Sequence, residues 1–444
     1  MNRNRSSASS ASVASSWKGG HQVTQATTPL TVSQDRRLIR PRWHSKRFVV
    51  VTVTAPEARR SGSRAPVNLA FVLDRSGSMN GQKIRLTAQA VEEAIGQLRS
   101  SDRFAVVIYD NEVEALVPGT LATPAAKASA IERLRRVEAR NMTHLSGGWL
   151  AGCEQVAGAL IEEGVNRCLL LTDGPANQGI TDRDQLAHHA GELRARGVST
   201  STFGVGEDFD EVLLQSMATA GGGHFYFIES AAQIRDHIGS EVGETLEVVA
   251  RSVTLEVTLP ESVRPESLGA FPARGGAGRM AIDVGDLVAG QQLEVPLRLS
   301  FGFGEVGDVL PGLVSLSDRD GVLDGSAARL SWEYADDRAN DAQLRERSVD
   351  RTVAAIFAAR ARQRAVELNR RGDYVAASGE LKATARKIRT YAGHDPELGV
   401  IIDGLLREAE MFGQVMFERD RKMRYTMSAH AMQSRDVMGQ ARRR

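Results

Sequence analysis

The sequence predicts a doubly wound α/β unit with a mainly parallel sheet. That unit is inserted in, or followed by, an antiparallel β-rich segment, and a helical hairpin or bundle closes the chain. Three observations carry this. Between about 66 and 248, apolar runs of strand length alternate with stretches whose apolar residues recur at helical spacing, the pattern of a parallel sheet covered on both faces. From about 250, apolar and polar residues alternate singly between Gly/Pro/Asp turns, as in an antiparallel sheet with one buried face. From about 340 the chain is rich in Ala, Arg and Leu with no strand signal, which points to packed helices.

Taken in order, residues 1–34 are Ser/Ala/Thr-rich with few large aliphatics and are expected to be a disordered tail. FVVVTVT (48–54) reads as a strand. It precedes the α/β unit without a partner there, so the segment 35–65 is expected to pair with the later strands. VNLAFVL (67–73) is a buried strand, and Ile84, Ala88, Val91, Ile95 and Leu98 mark the helix after it. Strands at 104–110 and near 113–117 precede a helix over about 123–138. Trp149, Cys153, Val156 and Leu160 mark another helix, CLLLTD (168–173) another strand, and Leu186, Ala190 and Leu193 another helix. A strand at 198–206, a helix near 210–219, HFYFI (224–228) and a helix with Ile234, Ile238, Val242 and Leu246 complete the unit at 66–248. The β segment, 249–336, holds VTLEVTL (253–259), MAIDV (280–284), LEVPLRLSF (293–301) and runs near 310–316 and 328–334. Turns at Gly372-Asp373 and Gly393 to Pro396 divide 337–418 into helices near 341–370, 373–391 and 396–418. Residues 419–444 read as a basic, flexible tail.

Composition narrows the function. The chain has 444 residues, 42% hydrophobic and 25% charged, with net charge +1, which suits a globular chain of several folded units. Residues 1–47 hold nine Lys/Arg against one acid, and 419–444 hold eight against two, so the body between carries −13. An acidic body argues against nucleic acid as the main ligand. Cys153 and Cys168 are the two cysteines; they give no disulfide framework or CxxC metal site and read as small core residues. No run reaches the length of a membrane span and the first residues lack a signal-peptide core, so a cytoplasmic location is expected. There is no GxxxxGK[ST] and no full GxGxxG opening an early βαβ unit, so neither an ATPase nor a dinucleotide site is expected.

The chemistry concentrates at three strand ends. The first α/β strand runs into Asp74-Arg75-Ser76-Gly77-Ser78-Met79, the CLLL strand into Thr172-Asp173-Gly174, and the loop Asn141 to Gly148 opens the Trp149 helix. In a doubly wound sheet ligands bind beyond the carboxyl ends of strands. Ser76, Ser78 and Thr143 supply hydroxyls, and Asp74 and Asp173 supply negative charge. Such oxygens suit a hard divalent cation, Mg²⁺ first, with Mn²⁺ or Ca²⁺ possible. Neutral hydroxyls leave the ion electrophilic toward a carboxylate from another molecule.

These residues, VNLAFVLDRSGSMNGQKI with Thr143 and LLLTDGPANQG, resemble the von Willebrand factor type A domain with its metal-ion-dependent adhesion site. GVGEDFDEVLLQSMATAGGGHFYFI near the end of the unit is similar to the same family. All five positions of the family's site are filled, by Asp74, Ser76, Ser78, Thr143 and Asp173. The resemblance implies a protein-interaction module rather than an enzyme: a bound Mg²⁺ held by the serines and threonine and completed by an Asp or Glu of a protein partner. The layout is loosely similar to bacterial members and to inter-alpha-trypsin-inhibitor heavy chains.

Plainer readings stand beside it. Asp74, Ser76 and Ser78 are also residues that cap helices, and Asp173-Gly174 is also a turn pair. Asp110 and Asn177 orient waters at the site or, more simply, lie in solvated loops. His144 reads as a rim residue, since a hard cation prefers oxygen. His188 and His189 read as surface, and Arg360, Arg362, Arg364, Arg370 and Arg371 as a solvated face. Two alternative functions remain: metal-assisted phosphoryl transfer with Asp74 as nucleophile, for which Ser76 replaces the expected second carboxylate and no lysine is evident near the crevice; and a scaffold whose ion is capped internally by Glu207, Asp208, Asp210 or Glu211. Partner identity, oligomeric state and the role of the helical end are not legible in the sequence.

Overall fold

The structure is a computed structural model that describes residues 28–58, 64–140 and 142–443. The chain opens with β1 (Leu30–Gln34), β2 (Leu38–Ile39) and β3 (Ser45–Thr54). It then forms the α/β unit: β4 (Val67–Asp74), α1 (Gln82–Gln97), β5 (Arg103–Tyr109), β6 (Val113–Leu121), α2 (Pro124–Leu134), α3 (Leu145–Ala157), β7 (Val165–Thr172), α4 (Arg183–Ala195), β8 (Ser199–Val205), α5 (Glu211–Ala220), β9 (Gly222–Ile228) and α6 (Ile234–Leu246). The sheet order is β6-β5-β4-β7-β8-β9, parallel except for β6. β4 and β7 are buried at every position, as strands roofed on both faces must be. Leu69 and Phe71 of β4 pack with α1 and α6, while Ala70 and Val72 pack with α3, the two-residue period of a strand. α2 starts at Thr123, whose side chain accepts from Ala126 N, with Pro124 in the first turn, and Asp182 and Asp210 cap α4 and α5 in the same way.

Two glycines set the height of α3 over the sheet. A Cβ at Gly148 would come 2.4 Å from the Tyr109 ring and one at Gly152 2.1 Å from Val72 Cγ2. Only a bare backbone lets the start of α3, and the loop holding Thr143, sit this close to the ends of β4 and β5.

The chain next forms β10 (Val248–Thr258), β11 (Val263–Ser267), β12 (Ala273–Gly276), β13 (Arg279–Val288), β14 (Gln292–Phe301), β15 (Val309–Ser317) and β16 (Ala327–Tyr334). Two sheets, β1-β3-β14-β11 and β12-β13-β10-β15-β16-β2, share one core. β3 lies between β1 and β14, with Val51 opposite Val32 and Val295. The chain therefore leaves this sandwich after β3, builds the α/β unit, and returns at β10. The tail expected through residue 34 is already sheet at Leu30, because Leu30 is buried in the sandwich and β1 pairs fully with β3; residues 1–27 lie outside the described residues.

The helical end comprises α7 (Asp337–Ala342), α8 (Arg347–Arg370), α9 (Tyr374–Ala392), α10 (Pro396–Phe412) and α11 (Glu418–Met432). The single helix expected over 341–370 is broken because Gln343 Oε1 accepts from Arg37 N and Leu38 N, each at 2.7 Å, which ties the chain to β2. Val349, Val353, Ile356 and Phe357 of α8 pack against Val50 of β3. No helix among the described residues is long and apolar enough to cross a membrane.

The basic end expected to be flexible is instead folded against the rest of the chain. Lys422 is 1% exposed, and Arg435 is 3% exposed. The physical reason is charge pairing with acids far away in sequence. Lys422 meets Glu211, Arg419 meets Glu229, Arg435 meets Glu244 and Arg443 meets Glu247. The arginine face of α8 is likewise engaged: Arg370 with Glu211 and Glu418, Arg362 with Glu408, and Arg360 with Ser267 O.

Candidate metal centre

β4 delivers Asp74 to the carboxyl edge of the sheet, and a short turn at Gly77–Met79 follows, anchored by the fully buried Met79. Asp74 is itself fully buried. Its Oδ1 accepts from Ser76 N at 2.8 Å and its Oδ2 from Thr172 Oγ1 at 2.7 Å. Ser76 Oγ lies 3.1 Å from Ser78 Oγ, and Ser78 Oγ donates to Asp173 Oδ1 at 2.6 Å. Asp173, at the end of β7, is fully buried. Thr143 is buried, its Oγ1 3.5 Å from where a Cβ on Gly174 would stand. The turn after β4 thus meets the end of β7 directly, and Thr143 adjoins it across Gly174.

The sequence reading missed Lys83. It sits in the first turn of α1, and its Nζ lies 2.5 Å from Asp173 Oδ2. Gly206, at φ +79°, lies against it, with the position of a Cβ 3.6 Å from Nζ. One helical turn from Met79, a lysine is an ordinary surface residue by sequence alone; only the closing of β7 beside β4 brings it to a carboxylate. Thr172 was also missed as the group that holds Asp74.

Asp110 is not in a solvated loop. It is fully buried, takes Arg140 Nε at 2.8 Å on Oδ2, and accepts from Glu112 N at 2.7 Å. Burial works against its charge, but the Glu112 amide and the Arg140 and Arg75 guanidinium groups hold its carboxyl below the usual range. Its backbone oxygen accepts from His144 N at 2.7 Å, so it fixes the loop that carries Thr143. The His144 ring packs on Gly147 and Gly179, and Asn177 is exposed. Of the acids expected to be able to cap an ion internally, Asp210 caps α5 and pairs with Arg183, and Glu211 pairs with Lys422 and Arg370. Glu207 and Asp208 are exposed.

Burial pushes the Asp74 carboxyl up to about 6, opposed by the hydrogen bonds from Ser76 and Thr172. A carboxyl raised in the folded state binds protons more tightly there than in the unfolded chain. Its cost to stability is absent below the unfolded value near 3.8 and is fully felt above about 6. At pH 7 that cost is about 3 kcal/mol. In chelator, urea unfolding of the wild-type chain should therefore weaken relative to Asp74→Asn as pH rises from 4 to 7. Parallel pH profiles for the two proteins would contradict this.

A second cluster, His224, Glu241 and Glu244, brings ligand atoms within 4.8 Å of one another. Its charges are already matched. Glu241 takes Arg167 at 2.7 Å, His224 at 2.9 Å and Tyr226 OH at 2.7 Å, and Glu244 takes Arg435 at 2.5 Å. Burial opposes the Glu241 charge, yet His224 and Arg167 hold it well below the usual range. This cluster is a structural ion network joining α6 to the end of the chain.

Likeness to a known family falls on the α/β unit. Residues 68–239 match the model of the von Willebrand factor type A domain. The chain is 26% identical over 238 residues to the uncharacterized protein YfbK of Escherichia coli (strain K12), covering 53% of this chain and 41% of that one. It is 32% identical over 165 residues to inter-alpha-trypsin inhibitor heavy chain H1 of Mesocricetus auratus, covering 35% of this chain and 18% of that one. The chain thus spans well under two thirds of these relatives. In three dimensions it is similar to a von Willebrand factor type A protein from Catenulispora acidiphila, with a TM-score of 0.70, 18% identity and coverage of 91% of this chain and 97% of that one. It is similar also to the ArnB paralog VWA2 from Sulfolobus acidocaldarius, with a TM-score of 0.57, 16% identity and the same coverage. At these identities the likeness is one of fold, and it extends through the sandwich and helical end.

Proposed function

We propose, on the premise that residues 68–239 form a von Willebrand factor type A domain, that this chain is a metal-dependent protein-interaction module. Ser76, Ser78 and Thr143 would hold a divalent cation, Mg²⁺ first, with Asp74 and Asp173 supplying negative charge. The observation that carries the reading is the meeting of Ser76, Ser78 and Asp173 oxygens at 3.1 and 2.6 Å. An all-oxygen set of hydroxyls and carboxylate suits a hard cation and offers nothing soft. When bound, the ion would supply a positive point for an Asp or Glu of a protein partner. This chain's residues orient the site: Thr172 and Ser76 N aim Asp74, Asp110 fixes the Thr143 loop, and Met79 pins the serine turn. The sandwich and helical end would then act as the scaffold that presents it.

The test is calorimetric titration of the full chain, first stripped with chelator, with Mg²⁺ and then with Mn²⁺ and Ca²⁺. One saturable site is expected. At about 100 times its dissociation constant the ion adds about 2.7 kcal/mol of stability, read as a rise in Tm that EDTA reverses. No heat and no change in Tm up to about 10 mM would defeat the reading, since a site weaker than that adds almost nothing.

Metal-assisted phosphoryl transfer with Asp74 as nucleophile gains one observation, Lys83 Nζ at 2.5 Å from Asp173 Oδ2. It still lacks a general acid, because position 76 is Ser. A phosphatase assay with Mg²⁺ separates the two; turnover lost in Asp74→Asn would favour the enzyme.

A further inference from the structure

Next to the candidate metal centre, on the side of β5 and β6, lies a cleft of about 350 Å³. Its apolar lining is Ile108, Leu116 and Val137, and its charged lining is Arg75, Arg133, Arg136 and Arg140 with Glu114 and Glu138. Arg75 is the residue between Asp74 and Ser76, and its side chain is 8% exposed. Nη1 approaches Glu114 at 3.3 Å, and Nε stands 3.2 Å from Asp110 in an ion pair that is not a hydrogen bond. Nη2 is buried with no hydrogen-bond partner among the described residues. A buried guanidinium edge without an acceptor is costly unless something meets it.

The acids nearby are spoken for by other groups. Asp110 pairs with Arg140 as well as Arg75, Glu112 pairs with Arg140, and Glu132 pairs with Arg136. Arg133, exposed, pairs with no acid among the described residues and donates to Leu116 O at 2.8 Å. Two lining acids oppose an anion: Glu138, exposed, and Glu114, which pairs with Arg75 Nη1 at 3.3 Å. What the pairs leave without an acid is Arg133, exposed to solvent, while Arg75 Nη2 is covered and has no acceptor among the described residues.

We propose that this cleft is a second anion subsite, which takes a further carboxylate of the acidic protein segment whose first acid engages the metal centre. Resting on the function proposed above, it makes the preferred partner a segment with two acids. One Cα step plus the reach of an arginine puts the two sites on the order of 10 Å apart, the span of about three extended residues. Guanidinium recognises carboxylate through paired donors, and the apolar lining accommodates the stem of the acid or a neighbouring aliphatic side chain.

The experiment measures fluorescence anisotropy of the full chain with two labelled peptides, one bearing aspartates three positions apart and one with the second aspartate replaced by asparagine. Each is run in Mg²⁺ and in EDTA. Arg133→Ala is compared with Arg135→Ala, which removes the same charge from the same segment but from a residue that pairs with Glu92 outside the cleft. Arg133→Ala should weaken the two-acid peptide about tenfold and leave the one-acid peptide unchanged, whereas Arg135→Ala should change neither more than about twofold. Arg133 dependence that persists in EDTA supports the cleft even where the metal reading fails. Mg²⁺-dependent binding that ignores Arg133 overturns the cleft and leaves the metal reading standing. Equal losses in both arginine variants, or no saturable binding of either peptide, overturn the cleft.

Discussion

Asp74→Ala removes Mg²⁺ binding and with it the metal-induced rise in Tm, while the metal-free protein stays folded. Two opposed effects give this outcome. The substitution strands Ser76 N, which now donates to Asp74, at about 1–3 kcal/mol for a buried polar group left without a partner, and leaves the Thr172 hydroxyl only Gly174 O at 3.2 Å as acceptor. It also removes a buried carboxylate held up to about 6, relieving about 3 kcal/mol at neutral pH. The net change in the metal-free chain is therefore small beside the loss of the ion. Capture of an acidic partner in Mg²⁺ should fall to the level seen in EDTA. Capture that survives both Asp74→Ala and chelation would refute the adhesion reading, and a variant that fails to fold would show that Asp74 is chiefly structural. Circular dichroism alongside the titration tells these results apart.

The second large effect concerns the helical end. Lys422→Met is expected to destabilise the chain by about 3 kcal/mol, the low end of the cost of breaking a buried ion pair, because Glu211 keeps Arg370. Lys422 Nζ donates to Glu211 Oε2 at 2.7 Å and to Phe209 O at 2.5 Å, and it lies 4.1 Å from the centre of the Phe209 ring. Burial disfavours the Glu211 charge, and Lys422 with Arg370 holds its carboxyl below the usual range. Without the lysine, Glu211 keeps Arg370 alone, and the loop after β8 loses its tie to α11. Urea unfolding should show a lower midpoint. Lys422→Met combined with Glu211→Leu should recover much of the loss, because a buried pair replaced by apolar side chains is often neutral. A single-variant cost below about 1 kcal/mol would mean the pair is solvated rather than structural. Gly206 in the same loop abuts Lys83, which pairs with Asp173, so Mg²⁺ affinity in Lys422→Met also reports whether the helical end steadies the metal centre.

How much was legible follows from the range of the forces involved. β4 and β7 were evident because strands roofed on both faces must be apolar throughout. The insertion of the α/β unit was evident because FVVVTVT had no parallel partner near it. Asp74, Ser76, Ser78, Thr143 and Asp173 stood out because each falls at or just beyond a strand or helix boundary on one edge of the sheet. β1, β2, β11 and β12 were not evident: they are short, and ARGG in β12 has no apolar face to betray it. α11 was hidden because ERDRKMRYTMSAHAM carries charge around most of its circumference, so no stripe marks its buried side.

What the sequence determined by itself is therefore the local and periodic part: the α/β unit, the alternating strands of the sandwich, and the strand-end oxygens. Periodicity is enough for these, since burial of one face imposes a repeat on neighbouring residues. Only the tertiary structure decided the placement of Lys83 on Asp173, the clamp of Asp110 on Arg75 and Arg140, the cleft beside Arg75, and the docking of the basic end onto Glu211 and Glu244. Each of these joins charges remote in the chain. An ion pair leaves no periodic trace in sequence, because its energy depends on which distant partner shares its desolvated surroundings.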